Sequence, residues 1–241
     1  MKIIGKRYLY KNLLPDYLEK KRINFIPEIE PKLLEYDEKF WKKIFPYKDG
    51  VKYENYQLSN IGKYSIFYPN DAKKVSKIIK SFFKENDKVT ITDATSNMGG
   101  ATIAFTNYFD KVHAVEIIET HCKILENNLK NYGTLDKVQI HCGDYLDIGD
   151  KLDQDAIFFD PPWGGPDYKK IKQMDMYLDE ISIHDIIKNI LNKIKIVAIR
   201  VPFNYNFKNL LKLTSKSFIY TFNKPDGRLN FFLIILKSNR F

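Results

Sequence analysis

The sequence lacks any apolar run approaching the roughly 20 residues needed to span a bilayer. Its first residues, Met1 to Arg7, hold no apolar leader core. These absences exclude a helical membrane protein and set the expectation of a soluble protein inside the cell, in the nucleus or the cytoplasm, with no membrane partner. Cysteine is scarce: only Cys122 and Cys142 occur in 241 residues. Each follows a histidine, His121 and His141, but neighbours on a helix or strand point in different directions. The spaced Cys/His pattern of a zinc site is missing. No metal is therefore expected, and both thiols are read as reduced. Internal repeats and low-complexity tracts are missing too.

What is present is an ordinary globular balance, 44% hydrophobic and 29% charged. The length suits one domain with a small appendage. The formal net charge is +9, from 39 Lys and Arg against 30 Asp and Glu. A basic excess favours polyanions, because neutralised phosphates release counterions. Lysines that merely keep a surface soluble give the same count.

Residues 1–60 are polar and aromatic, punctuated by Pro15, Pro27, Pro31 and Pro46, with a basic patch at Lys20, Lys21 and Arg22. They read as an N-terminal helical extension, and residues 61–241 as the main domain. Within that domain, Val75, Ile78, Ile79, Phe82 and Phe83 predict a helix over 71–84, with Asn70 as its cap. Strands are predicted at 89–92, 112–117, 138–141, 156–159 and 196–201, alternating with helices at 100–108, 120–132 and 183–194. Two strands at 218–222 and 231–236 flank the turn Pro225-Asp226-Gly227. This alternation predicts an α/β, doubly wound, mostly parallel Rossmann-like sheet with a C-terminal antiparallel hairpin.

Such sheets bind ligands at the carboxyl ends of their strands. There the sequence places Asp93-Ala94-Thr95-Ser96-Asn97-Met98-Gly99-Gly100, with Thr102 beyond it. Glycines let a backbone approach a cofactor closely, and the following helix start supplies free amides. Glu116 closes the second strand, before Ile117, where a carboxylate can accept both ribose hydroxyls. Asp144, before Tyr145, follows the third strand and can accept from an adenine amine. In that order these residues predict a nucleoside cofactor, read as S-adenosylmethionine.

The fourth strand leads into Asp160-Pro161-Pro162-Trp163. An exocyclic amine on a planar base is a poor nucleophile, because its lone pair is delocalised into the ring. Asp160 and the Pro161 carbonyl can accept its two hydrogens and aim the lone pair at a methyl sulfonium. Two prolines preorganise the turn, and Trp163 can stack on the base. Asp160 is also adjacent to the expected cofactor.

The longer string Pro161-Pro162-Trp163-Gly164-Gly165-Pro166-Asp167-Tyr168 closely resembles the motif of trimethylguanosine synthases, the RNA cap guanine-N2 methyltransferases. The likeness runs over roughly residues 39–170 and includes Lys39-Phe40-Trp41, Asp49-Gly50-Val51, Tyr64 to Pro69, Asp93-Ala94, Asn127-Asn128 and Cys142-Gly143-Asp144. It implies a capped RNA substrate whose guanine already carries a 7-methyl group and a positive charge, stacked on Trp163. It also implies a contact at Tyr168 near the cap phosphates and an N-terminal extension that engages RNA; Lys39, Tyr68 and Asn204 are further substrate-contact candidates, and a monomer is expected. A compact viral member, working in a viral factory or particle, would look like this.

The chain departs from the family in three places. Asn97 stands where the family has glycine, though asparagine tolerates positive φ. Asp160 stands where members often have serine. Phe203 replaces an arginine after Pro202, so one phosphate contact is either lost or supplied by Arg228 instead. Two other readings stay open. One is an amino-methyltransferase acting on internal RNA or DNA bases. The other is a catalytically silent methyltransferase fold serving as an RNA-binding subunit.

Overall fold

The computed structural model describes residues 31–164 and 166–241. The basic patch at Lys20, Lys21 and Arg22 lies outside the described residues. Two compact units divide them, residues 31–158 and residues 159–241.

The first unit opens with helix α1, Glu38–Ile44, whose N-cap Asp37 accepts from the Phe40 amide at 2.8 Å. Trp41 and Ile44 face inward from it. Phe45 stacks on Tyr56 with ring centroids 4.0 Å apart. These side chains, with Tyr53 and Leu58, share one core with Met98, Ile103, Leu125 and Leu129. Residue 60 therefore marks no division in the packing: aromatic residues before it complete the core formed by elements after it. A chain cut near Tyr53 would lose Trp41, Ile44 and Phe45 from that core.

Helix α2, Pro69–Lys80, begins earlier than its apolar spacing suggests. Tyr68 is the N-cap and Pro69 takes the first position, so Asn70 is inside the helix and not its cap. Proline at that position has no N–H to leave unsatisfied, and its fixed φ suits a helix start.

Strands β1 (Thr90–Asp93), β2 (Lys111–Glu116), β3 (Val138–Cys142) and β4 (Ala156–Phe159) pair in parallel, in the order β3-β2-β1-β4. The β-branched and aromatic content of β1, β2 and β4 suits strands buried on both faces, whereas β3, at the edge of this order, is only partly buried. Because β1 lies between β2 and β4, the strand order reverses at its edge. Its carboxyl end is the switch point at which such sheets take ligands. Helix α3, Gly100–Phe105, follows β1, and α4, Glu119–Tyr132, follows β2 and stops at Gly133. A short helix, α5 (Tyr145–Ile148), follows β3; one turn leaves too little periodicity to be legible in the sequence.

The cysteines differ from expectation. Cys122, in the first turn of α4, and Cys142, closing β3, form a disulfide with Cα atoms 5.9 Å apart. The pairing of β2 with β3 sets Cys142 opposite Glu116, just before the chain turns into α4. That long-range register is invisible in the spacing of the two residues.

The second unit carries β7 (Ile196–Pro202), β8 (Lys216–Asn223) and β9 (Leu229–Lys237), antiparallel in the order β7-β9-β8. This is the predicted terminal hairpin. Helix α6, Ile183–Ile190, is capped by Ser182, whose hydroxyl accepts from the Asp185 amide. Two-residue strands β5 (Tyr177–Leu178) and β6 (Ile181–Ser182) precede it. Among the described residues no helix is long and apolar enough to cross a membrane.

Candidate active site

In the first unit, the turn after β1 is stitched to its neighbours by backbone bonds. The Ala94 amide donates to Phe158 O at 2.9 Å, and the Ser96 amide to Val115 O at 2.8 Å. Asp93, 1% exposed, accepts from the Thr102 hydroxyl at 2.7 Å, which fixes the turn to α3. The Ser96 hydroxyl donates back to Asp93 O at 2.9 Å. Asn97 adopts φ 50° and Gly99 φ 99°. The asparagine thus makes the left-handed turn that its side chain tolerates better than most.

Glu116 holds this turn. One carboxylate oxygen accepts from the Asn97 amide at 2.8 Å and the other from the Ile118 amide at 2.9 Å. Each oxygen has a second lone pair, so a ribose diol would meet an acceptor already fixed in place. Next to it Ile117 is an exposed apolar side chain. The Gly143 amide donates to Glu116 O at 2.8 Å, which brings the β3 turn with Asp144 alongside. Asp144 caps α5, accepting from the Leu146 amide at 2.9 Å. The structure thus gathers Asn97, Glu116, Ile117 and Asp144. Their chemistry suits a nucleoside, which offers a diol, a ring amine and an apolar face. Thr95 is half-buried in the same turn.

Two sequence candidates have other occupations. Met98 is fully buried, and its sulfur accepts from the Ser59 amide. Tyr145 is buried, and burial pushes its hydroxyl's pKa well above the usual tyrosine range. Sequence reasoning also undervalued Asn128. This fully buried side chain donates to Met98 O at 2.9 Å and Gln57 O at 3.0 Å, and accepts from the Gln57 amide at 2.9 Å. It clamps the cofactor turn from behind. A lone asparagine in the apolar stripe Cys122, Leu125, Leu129, Tyr132 was the available signal.

In the second unit, Asp160, Pro161, Pro162 and Trp163 leave the end of β4 without regular structure. Asp160 Oδ2 accepts from Arg200 Nη1 at 2.6 Å, with both side chains largely buried. The Arg200 guanidinium lies 4.6 Å from the Trp163 ring centroid and 4.6 Å from that of Phe231. Burial raises the Asp160 pKa above the usual carboxylate range, and the guanidinium opposes that rise. Tyr168 meets Trp163 edge to face at 5.2 Å. Asn204 donates to Tyr168 O at 2.8 Å and Ile171 O at 2.6 Å, so it braces the segment after the tetrad. The indole N–H of Trp163 is buried with no acceptor among the described residues.

The remaining candidates each belong to one of the two units. Arg228 is bound to Asp226 within its own hairpin turn, at 2.6 and 2.8 Å. The arginine beside the tetrad is Arg200, which sequence reasoning missed. In the first unit, Lys39 is exposed on α1, and Tyr68 is half-exposed with Lys43 Nζ 5.9 Å from its ring.

Residues 88–224 match the family described as RNA cap guanine-N2 methyltransferase, over more than half of the chain. The chain belongs to this family. A trimethylguanosine synthase of Schizosaccharomyces pombe is 32% identical over 111 residues, 44% of this chain and 45% of that protein. That of Saccharomyces cerevisiae is 27% identical over 133 residues, 52% and 42% of the two chains. The chain thus spans less than half the length of either yeast relative. An uncharacterized protein of Acanthamoeba polyphaga mimivirus is 29% identical over 234 residues, covering 93% of this chain and 88% of that one. Among solved structures, the O-methyltransferase TomG of Streptomyces achromogenes, in complex with S-adenosylmethionine, superposes with a TM-score of 0.52 at 15% identity, covering 70% of this chain and 80% of that one. An rRNA methylase of Streptococcus thermophilus gives 0.51 at 14% identity, covering 72% and 98%. The fold is that of Rossmann-like methyltransferases, and this family member is an S-adenosylmethionine-dependent methyltransferase.

Cofactor binding should depend on Glu116. Glu116→Ala removes a charge-assisted acceptor, worth roughly 1.5–3 kcal/mol, and so weakens S-adenosylmethionine binding by roughly ten- to hundredfold. Calorimetric titration measures it; unchanged affinity would take the ribose away from the end of β2.

Proposed function

We propose that the chain methylates the exocyclic N2 amine of a 7-methylated guanine at an RNA cap. The observation that carries this reading is that one arginine, Arg200, reaches both the Asp160 carboxylate and the Trp163 ring of the turn after β4, in a chain of the cap guanine-N2 family. Trp163 supplies a flat face whose negative quadrupole favours a cationic base. That such a ring holds a cation well is illustrated by the guanidinium already lying over it. Asp160 and the Pro161 carbonyl accept the hydrogens of the amine. Their acceptor power concentrates its lone pair, and in this reading Asp160 takes the proton lost on methylation. S-adenosylmethionine supplies, when bound, a methyl group activated by a sulfonium. Asp93, Glu116 and Asp144 are the proposed acceptors that hold it, with Thr95, Asn97 and Gly99 shaping the turn. Tyr168, Lys39 and Tyr68 are proposed to face the cap and the RNA behind it. The net charge of +9 suits that polyanion.

The test is titration of 7-methylguanosine triphosphate and of GTP, with S-adenosylhomocysteine present. Wild type is expected to prefer the methylated nucleotide. Trp163→Ala should lose roughly 1–3 kcal/mol of affinity for it, the usual stacking loss per base. Most of the preference should go with it, since the favourable contact with charge is lost. Equal affinity of the wild type for both nucleotides would overturn the cap reading in favour of an amine on an internal, uncharged base.

A further inference from the structure

Arg200 sits in β7 among Val197, Ala198, Ile199 and Val201, all fully buried. Burying a guanidinium there costs several kcal/mol unless it is well paired, and a buried ion pair is often no more stable than an apolar replacement. Stability alone is therefore a poor reason for an arginine at this position. Its surroundings suggest another reason. On β9, Leu233 is its cross-strand partner, and Phe231 lies two residues along on the same face. Phe231 and Trp163 enclose the planar guanidinium, each with its ring centroid 4.6 Å from Cζ, while Nη1 reaches Asp160 at 2.6 Å. One rigid fork thus touches both members of the tetrad that bear chemistry.

We propose that Arg200 is a positioning residue for methyl transfer, fixing the Asp160 carboxylate and bracing the Trp163 ring. This rests on the amino-methyltransferase reading of the tetrad, but not on which base is methylated. A carboxylate has about four lone-pair sites, so one carboxylate can accept from an arginine and from an amine together. The charges also balance. Arg200 alone, stacked on Trp163, would repel a cationic base from the same ring system; paired with Asp160 it presents no net charge. Lysine could make the ion pair but has no planar group to set against the two rings.

The groups facing Asp160 set the sign of the pH dependence. Arg200 on β7 lowers the Asp160 pKa, and burial raises it. Tyr168, the nearby ionisable group on the tetrad segment, has its own pKa raised by burial, with Arg200 opposing. Removing Arg200 takes away a charge that opposes burial, so Asp160 holds its proton to higher pH. A protonated carboxyl is the weaker acceptor. Activity that rises with pH as Asp160 ionises should therefore rise later in the variant.

The experiment compares wild type, Arg200→Met and Arg200→Lys, using whichever nucleotide the wild type methylates. In Arg200→Met, kcat at pH 7 should fall by about tenfold or more, beyond the rise in KM that it shares with Arg200→Lys. Its kcat–pH profile should move to higher pH and recover there. Arg200→Lys should restore the wild-type pH profile while raising KM, because the charge returns and the stacking does not. The carboxyl signal of Asp160, followed by NMR titration without nucleotide, should shift upward in Arg200→Met whatever the substrate proves to be. If Arg200→Met fails to fold, the lysine variant still gives the KM-against-kcat split. A wild-type profile and an unshifted carboxyl titration in Arg200→Met, or an unchanged KM in Arg200→Lys, would overturn the proposal. Failure of the cap reading alone would leave the carboxyl titration unchanged.

Discussion

Asp160→Asn is expected to lower turnover by about 10²–10³-fold, or about 3–4 kcal/mol in the transition state, the loss seen when one preorganised polar group is removed from a reacting centre. Cofactor affinity should stay within about tenfold, because the acceptors proposed for the nucleoside are Asp93, Glu116 and Asp144. The choice of asparagine follows from the structure. Alanine would strand the Arg200 guanidinium between Trp163 and Phe231 without its counter-ion. A buried charge left unpaired costs about 3–5 kcal/mol, so loss of activity in that variant would mix chemistry with unfolding. Asparagine keeps the shape and an oxygen for Arg200 while giving up the negative charge. Single-turnover methylation at saturating cofactor, with a melting curve on the same sample, separates the two effects. Near-normal turnover by a folded Asp160→Asn protein would remove the carboxylate from the mechanism.

The parts of this site that were legible in the sequence are those that local rules create. Strands of Val, Ile and Phe bounded by turn residues announced β1 to β4 and the terminal hairpin. Because ligand sites follow strand ends, Glu116 and Asp144 could be placed before any contact was known. Asn97 was readable for a similar reason: few residues other than glycine tolerate its left-handed backbone. What stayed hidden depends on register between distant segments. Arg200 meets Asp160 across 40 residues, and an arginine in an apolar strand reads as an exception until its partner is seen. Cys142 meets Cys122 only because β3 pairs with β2. Tyr36 to Leu58 looked like an appendage because aromatics in a proline-punctuated stretch show no period, yet they complete the first unit's core. Gly100 was read as room for a cofactor; what it admits is the protein's own backbone at Phe67.

Gly100→Ala should therefore destabilise the fold as well as the cofactor turn. A Cβ at Gly100 would lie 2.7 Å from Phe67 O, 2.8 Å from Phe67 N and 3.2 Å from Ile66 Cδ1. The two nearest atoms are backbone and cannot rotate away. Nor is Phe67 free to yield: it is buried, its ring is parallel to that of Phe158 at 6.0 Å, and Tyr68 and Pro69 start α2 directly after it. The strain must then move α3, whose first residue follows Gly99 and the Asn97 turn held by Glu116. Overpacking of this kind costs about 3 kcal/mol where neither side can give. For a chain of this size that lowers Tm by roughly 6–12 °C. Affinity for S-adenosylmethionine should fall as well, since the shift passes through the turn proposed to hold it. Gly143→Ala is the matched control in the neighbouring turn: a Cβ there meets no atom within 4 Å. Its stability should stay within about 0.5 kcal/mol of wild type. Thermal melting of the three proteins, followed by calorimetric titration of the cofactor, decides the matter. A Gly100→Ala protein that melts with wild type would mean that α3 and the Phe67 backbone do not meet as closely as the structure places them.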